Sequence, residues 1–213
     1  EIARGIAASE ATVLISGESG TGKTLLARLI HSASHRSTGP FVTLDCTSFQ
    51  ESLLESELFG HKRGAFTGAV SDKIGKVETA QRGTLFLDEV GEVPAHLQGK
   101  LLRLVEDKTY ERVGDPAPRT VDARVIAATN RDLEGMVREK AFREDLFYRL
   151  SVVDLVIPPL CNRPEDLLLL GRGFLAAASR AHGRRVTAWD SEVERALVRY
   201  TWPGNVRELA HTI

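Results

Sequence analysis

The chain has 213 residues, 42% of them hydrophobic, with 28 Lys and Arg against 29 Asp and Glu for a formal net charge of −1. A chain of this size buries one large core, or one core with a small satellite, and its balanced charge excludes a global basic field for nonspecific nucleic-acid binding. The two cysteines, Cys46 and Cys161, show no metal spacing, which suits reduced thiols in a cytosolic protein, with Cys46 in a core strand. No charged-plus-apolar leader is evident and no apolar run approaches the ~20 residues of a membrane span. The expectation is a soluble, cytoplasmic protein with no membrane contact.

In chain order, the apolar run Thr12 to Ile15 is followed by Gly17-Glu18-Ser19-Gly20-Thr21-Gly22-Lys23-Thr24, and a helical pattern then extends from Lys23 to Ser34. This is G-x-x-x-x-G-K-[ST] in its strand, loop, helix context. Glycines let backbone N–H groups converge on a polyphosphate at a helix N-terminus, Lys23 reaches the β- and γ-phosphates, and the Thr24 hydroxyl ligates Mg²⁺. The competing reading, a chance glycine-rich turn, requires both flanks and the Lys-Thr pair to coincide by accident. The motif predicts a nucleotide triphosphatase.

A second strand, Phe41 to Leu44, and a helix, Gln50 to Leu58, come next. Gly60 to Gly75 is too glycine-rich for regular structure. The third strand, Thr84 to Leu87, ends in Asp88-Glu89. Taken alone these are solvated acids after a strand; beside a phosphate loop, Asp88 holds Mg²⁺ through its water shell and Glu89 polarises the attacking water. A helix, Ala95 to Glu106, and a second irregular segment, Gly114 to Arg119, precede the fourth strand, Arg124 to Ala127. That strand runs on through Ala128-Thr129-Asn130, where Asn130 either orients the water near the γ-phosphate or caps the next helix, Leu133 to Lys140. Val152 to Ile157 is the fifth strand. Alternating strands and helices predict a mostly parallel sheet covered on both faces, with ligands at the strands' C-terminal ends. After Pro158-Pro159 only helical periodicity remains, in Pro164 to Ala181, Ser191 to Tyr200 and Val206 to Ile213. The predicted organisation is an α/β core over residues 1–158 and a small helical domain over 159–213. The chain begins and ends abruptly, as a domain of something longer does.

Gly64-Ala65-Phe66-Thr67-Gly68-Ala69, preceded by Glu57-Leu58-Phe59-Gly60-His61, resembles the signature loop of the bacterial enhancer-binding proteins, activators of sigma-54 RNA polymerase. The resemblance covers the whole chain, through Trp202-Pro203-Gly204-Asn205-Val206-Arg207-Glu208-Leu209. It implies an AAA+ P-loop NTPase fold, a five-stranded sheet with a C-terminal helical lid, hydrolysis of ATP with Mg²⁺, and contact of the Gly64 to Ala69 loop with the sigma factor. Small residues around Phe66 and Thr67 suit a flexible stem with an aromatic anchor; the alternative is that Phe66 plugs the domain's own core. The segment Glu111 to Pro116 corresponds to a second loop that buttresses the first.

The resemblance also implies that Arg149, with Arg143 beside it, is supplied across a subunit boundary to the transferred phosphoryl group, and hence a ring, hexameric by analogy. Without it, these arginines read as helix-surface ion pairs. Arg207 matches the second sensor, reaching the nucleotide from the lid. Promoter enhancer DNA is implied only for a C-terminal module outside this sequence. Two positions depart from the family. Many relatives carry Asn at the position of Asp45, restraining the catalytic Glu; two carboxylates do not share a hydrogen bond unless one is protonated, so a switch through Asp45 to Glu89 is in doubt. Relatives commonly read Arg-Glu-Arg where this chain has Cys161-Asn162-Arg163. The six histidines show no metal spacing and read as surface or helix-end residues, with His31 and His35 one helical turn apart. The rival function is a AAA+ chaperone or DNA motor sharing only the core machinery; a regulator that no longer works through sigma-54 is a third.

Overall fold

The computed structural model describes residues 2–184, 186 and 188–213. The strands are β1 (Val13–Ser16), β2 (Phe41–Asp45), β3 (Gly60–His61), β4 (Lys73–Ile74), β5 (Thr84–Asp88), β6 (Thr109–Arg112), β7 (Asp115–Thr120), β8 (Arg124–Thr129) and β9 (Val153–Val156). The α-helices are α1 (Ile2–Ala7), α2 (Lys23–Ser32), α3 (Glu51–Phe59), α4 (Lys76–Thr79), α5 (Ala95–Asp107), α6 (Leu133–Arg138), α7 (Glu144–Leu150), α8 (Pro164–Ala181), α9 (Ser191–Arg199) and α10 (Asn205–Thr212). Two compact units result, one of residues 1–16 and 24–155, the other of residues 17–23 and 156–213.

The first unit is built on a five-stranded sheet in the order β2-β5-β8-β1-β9. The β2–β5, β5–β8 and β1–β8 ladders are parallel. All six residues of β8 and four of the five in β5 are buried, because a central parallel strand has helices on both faces and needs apolar side chains at every position. The edge strand β9 alternates half-buried and exposed. One face packs Leu54 and Leu58 of α3, Leu97, Leu101 and Leu104 of α5, and Leu146 and Leu150 of α7 into a continuous core with Leu85 and Leu87. Burying each such leucine contributes about 1.5–3 kcal/mol.

The two segments expected to be irregular contain paired strands. Gly60–His61 and Lys73–Ile74 form an antiparallel ribbon that closes the loop between them. Residues 115–120 pair with 109–112 as a hairpin despite Pro116 and Pro118. A two-stranded ribbon has an outer side that needs no N–H donor, so alternate prolines are tolerated there.

The second unit has its own small core of Leu160, Leu167, Trp202 and Leu209. Trp202 is buried and its indole N–H donates to the Leu197 carbonyl at 2.8 Å, satisfying the polar end of an otherwise apolar ring. Asp190 caps α9 through the amides of Glu192 and Val193, each at 2.9 Å.

Candidate nucleotide site and partner loop

At the C-terminal end of β5 the chain turns abruptly. Asp88 accepts a hydrogen bond from the Thr24 hydroxyl at 3.2 Å, which brings two hard oxygen donors together. Glu89 follows in the left-handed region at φ 54°, ψ 52°, a conformation that costs a non-glycine residue roughly 1–3 kcal/mol and clusters at functional sites. It is held there by its neighbours: Glu89 Oε2 accepts the backbone N–H of Asn130 at 2.9 Å. One turn on, Glu92 pairs with Arg131 at 2.7 Å, so the ends of β5 and β8 are tied twice. Asn130 meets Glu89 through its main chain, and the α6 cap is Asp132, which accepts from the Gly135 amide at 3.0 Å.

Asp45 lies beside Asp88 in the sheet register. Its Oδ1 accepts from the Thr47 amide at 2.9 Å and the Thr47 hydroxyl at 2.7 Å, and its Oδ2 accepts from the Ser48 hydroxyl at 2.8 Å. Partial burial raises its carboxyl pKa, but these hydrogen bonds outweigh that effect and hold it below the ordinary value. Both oxygens therefore stabilise the turn that follows β2. Adjacent Cys46 is buried, and burial together with the Asp45, Asp88, Glu89 and Glu92 charges pushes its thiol up to about 12. It is a core residue, as expected from the sequence, although it lies one residue past the end of β2 and not within the strand.

In the second unit, residues 17–23 form a glycine-rich turn with φ of 157°, 80° and 106° at Gly17, Gly20 and Gly22. Lys23 Nζ donates to the carbonyls of Gly17 at 2.8 Å and Glu18 at 3.3 Å, and the Thr21 hydroxyl donates to Glu18 O at 2.8 Å. The start of α10 docks on this turn: Val206 N donates to Gly20 O at 3.0 Å and Arg207 Nη1 to Ser19 Oγ at 3.1 Å. A Cβ on Gly20 would fall 2.4 Å from the Gly204 carbonyl, so only glycine fits this approach. Ser19, Gly204, Arg207, Glu208 and His211 line an open pocket of about 350 Å³.

The Gly64 to Ala69 loop closes on itself through Gly64 N to Ala69 O at 2.8 Å and Ala69 N to Phe66 O at 3.0 Å. Thr67 and Gly68 are exposed; Phe66 is 36% exposed and forms a T-shaped pair with His61, ring centroids 5.0 Å apart. Ala69 is buried. The β6–β7 hairpin is joined to the stem by Val113 N to Gly60 O and Lys62 N to Val113 O, both 2.9 Å. Its own base is fixed by Glu78, which accepts from Arg112 at 2.7 Å and Tyr110 at 2.9 Å.

Arg143 is the residue preceding α7 and Arg149 lies in its last turn, and both are exposed. Arg143 grips Asp145 with two hydrogen bonds at 3.0 and 2.7 Å, and Arg149 pairs with Glu106. Both guanidiniums are at the surface, and within the chain each is held by an acid.

A profile described as the sigma-54 interaction domain matches residues 1–156, and one described as the AAA+ ATPase lid domain matches residues 162–213. The chain belongs to the sigma-54 interaction domain family. It is 54% identical over 213 residues to the alginate biosynthesis transcriptional regulatory protein AlgB of Pseudomonas aeruginosa, covering 100% of this chain and 47% of that protein. It is 53% identical over 208 residues to the regulatory protein AtoC of Escherichia coli, covering 98% and 45%. A crystal structure of NtrX from Brucella abortus in complex with ATP superposes with a TM-score of 0.91 at 38% identity, covering 98% of this chain and 45% of that one. The chain thus spans about half the length of the curated relatives it matches.

In this sigma-54 interaction domain the expectation that the histidines are surface or helix-end residues fails at His61; His31 is at a helix end, in the last turn of α2, though it is not at the surface. His31 is buried and bonds Thr84 Oγ1 at 2.9 Å; burial is the main effect lowering its pKa, with Arg124 and Arg28 adding to it against a hydrogen bond to the Gly39 carbonyl. His35 lies exposed beyond the end of α2, so the two do not face together. His61 is buried and bonds Ser56 at 2.7 Å. Asn205 and Arg163, given no role from the sequence, both reach the glycine-rich turn. The one legible signal was Asn205 after Gly204, since Asn tolerates the left-handed conformation found there. Among the described residues, no three His, Cys, Asp or Glu converge on a metal-sized site, and no helix is long and apolar enough to cross a membrane.

Proposed function

We propose that this sigma-54 interaction domain hydrolyses ATP to ADP and phosphate with Mg²⁺, and uses the cycle to move the Gly64 to Ala69 loop against the sigma-54 factor, remodelling the closed promoter complex so that DNA opens. The observation that carries the reading is Glu89, strained into a left-handed conformation at a strand end and held by Asn130 beside Asp88. Such strain is kept where a carboxylate must be aimed. The NtrX structure in complex with ATP supports the choice of nucleotide.

In this reading residues 1–158 are the ATPase core and 159–213 the lid. The backbone of Gly17 to Gly22 and the Lys23 ammonium bind the phosphates, and Arg207 senses the nucleotide from the lid. Thr24 and Asp88, a hydroxyl and a carboxylate, fit Mg²⁺, a hard ion usually held by few carboxylates and the substrate's own phosphates. The ion neutralises charge on the phosphate oxygens when bound. Glu89 orients and deprotonates the attacking water, and Asn130 fixes the geometry of Glu89. Arg149, assisted by Arg143, leaves its own acid partner to stabilise charge on a neighbouring subunit's nucleotide, which makes assembly into a ring, hexameric by analogy, a condition of turnover. Enhancer DNA is bound by a module outside this sequence. The deciding experiment traps the chain with Mg²⁺, ADP and a transition-state phosphate mimic and measures sigma-54 retention. Retention is expected; assembled rings that retain none would return the chain to a generic remodelling ATPase.

A further inference from the structure

The carbonyls of the glycine-rich turn are taken one after another by donors from outside it. Asn205 Nδ2 donates to Ser19 O at 3.1 Å and to Glu18 Oε2 at 2.9 Å. Val206 N takes Gly20 O at 3.0 Å, and Arg163 Nη2 takes Thr21 O at 2.9 Å. In a trans peptide the carbonyl and the following N–H point opposite ways. Drawing Ser19 O and Thr21 O to one side therefore turns the amides of Gly20 and Gly22 to the other, the arrangement an anion-binding nest requires.

Asn205 is chemically suited to this task. It is fully buried, at 0% exposure, and its Oδ1 accepts the Leu160 amide at 2.7 Å. A carbonyl on one side and an N–H on the other fix which end of the amide faces which partner. An aspartate of the same shape keeps the Leu160 bond, loses both donors, and sets its charge against the Glu18 carboxylate and the Ser19 carbonyl.

Resting on the nucleotide reading above, we propose that Asn205 and Arg163 are positioning residues that clamp the outer side of the phosphate loop and preset its amides for the polyphosphate. The test is equilibrium binding of a fluorescent ATP analogue with Mg²⁺, with each variant's unfolding midpoint recorded. Asn205→Asp is expected to raise the dissociation constant 10-fold or more. Adding Glu18→Gln supplies an amide donor to the new carboxylate and removes the opposed charges, and is expected to recover part of the lost affinity, with the Ser19 carbonyl still lacking its donor, a rescue that a merely destabilised lid does not show. Arg163→Ala, which removes a half-buried side chain, is expected to weaken binding at least threefold and serves if Asn205→Asp does not fold. Parent-like affinity in folded Asn205→Asp or folded Arg163→Ala, or no recovery in the folded double variant, overturns the clamp. A parent chain that binds no ATP overturns the nucleotide reading beneath it.

Discussion

The backbone N–H of Asn130 and the side chain of Glu89 are hydrogen-bonded at 2.9 Å, so the strained acid at the end of β5 is aimed by the main chain of β8. A backbone donor survives substitution of its own side chain. Asn130→Ala is therefore expected to retain measurable ATPase activity, while Glu89→Gln loses on the order of 10²-fold or more in kcat with Mg·ATP binding largely intact, since only water activation is removed. Steady-state rates and nucleotide affinity measured side by side check this; near-normal turnover in Glu89→Gln removes it from the role.

Arg149 pairs with Glu106 within its own chain and is 55% exposed. Arg149→Ala is expected to lower hydrolysis on the order of 10³-fold with ATP still bound. Mixing it with Lys23→Ala creates hybrid interfaces in which an intact finger faces an intact phosphate loop, so part of the activity returns. Mixed rings that form and stay silent at every ratio count against an interface role.

Thr67 is exposed on a loop far in sequence from the acid pair Asp88-Glu89. Thr67→Ala is expected to keep ATPase activity within a few-fold of the parent, while losing retention of sigma-54 by the trapped complex and losing open-complex formation. A pull-down and a promoter-opening assay on the same preparation separate the two properties.

Gly114 has φ +77°, and a Cβ there would lie 2.7 Å from the Cβ of Ala65. Gly114→Ala is expected to destabilise the fold by about 1 kcal/mol and to push the hairpin off the loop stem. Sigma-54 affinity then falls on the order of 10-fold, with hydrolysis much less affected. Unchanged affinity would show that the hairpin does not support the loop.

The Asp45 carboxyl titrates below its ordinary value in the folded chain, with burial opposing and the Thr47 and Ser48 hydrogen bonds prevailing. A depressed folded pKa means the native state favours the ionised group, so its stabilisation is complete above the ordinary carboxylate value and is lost as pH falls through the folded value. Asp45→Ala is expected to be less stable than the parent at pH 7, on the order of 1 kcal/mol. The gap narrows below about pH 4, where the unfolded state begins to take up the proton, and closes once the pH is below the folded value. Urea midpoints across pH 3 to 7 test the sign.

The sequence by itself determined the five sheet strands, because each is a short apolar run between turn signals. It also carried the motifs on which the proposed site rests, the glycine-rich turn and the acid pair, whose residue types and spacing are set by local chemistry, while the Gly64 to Ala69 loop was singled out by its resemblance to a known family. Tertiary structure decided what depends on neighbours distant in the chain. The hairpin at 115–120 forms because residues 109–112 supply its ladder, which overrides the two prolines. His31 is interior because Thr84, 53 residues away, meets its ring. Asp45 serves its own turn, because Thr47 and Ser48 fold back onto it. Asn205 reaches Glu18 across 187 residues of sequence, and no periodicity or local motif records a bond between residues so far apart. Hydrophobic pattern and turn chemistry act over a few residues and are legible in order; a buried polar partnership exists only once the chain has closed around it.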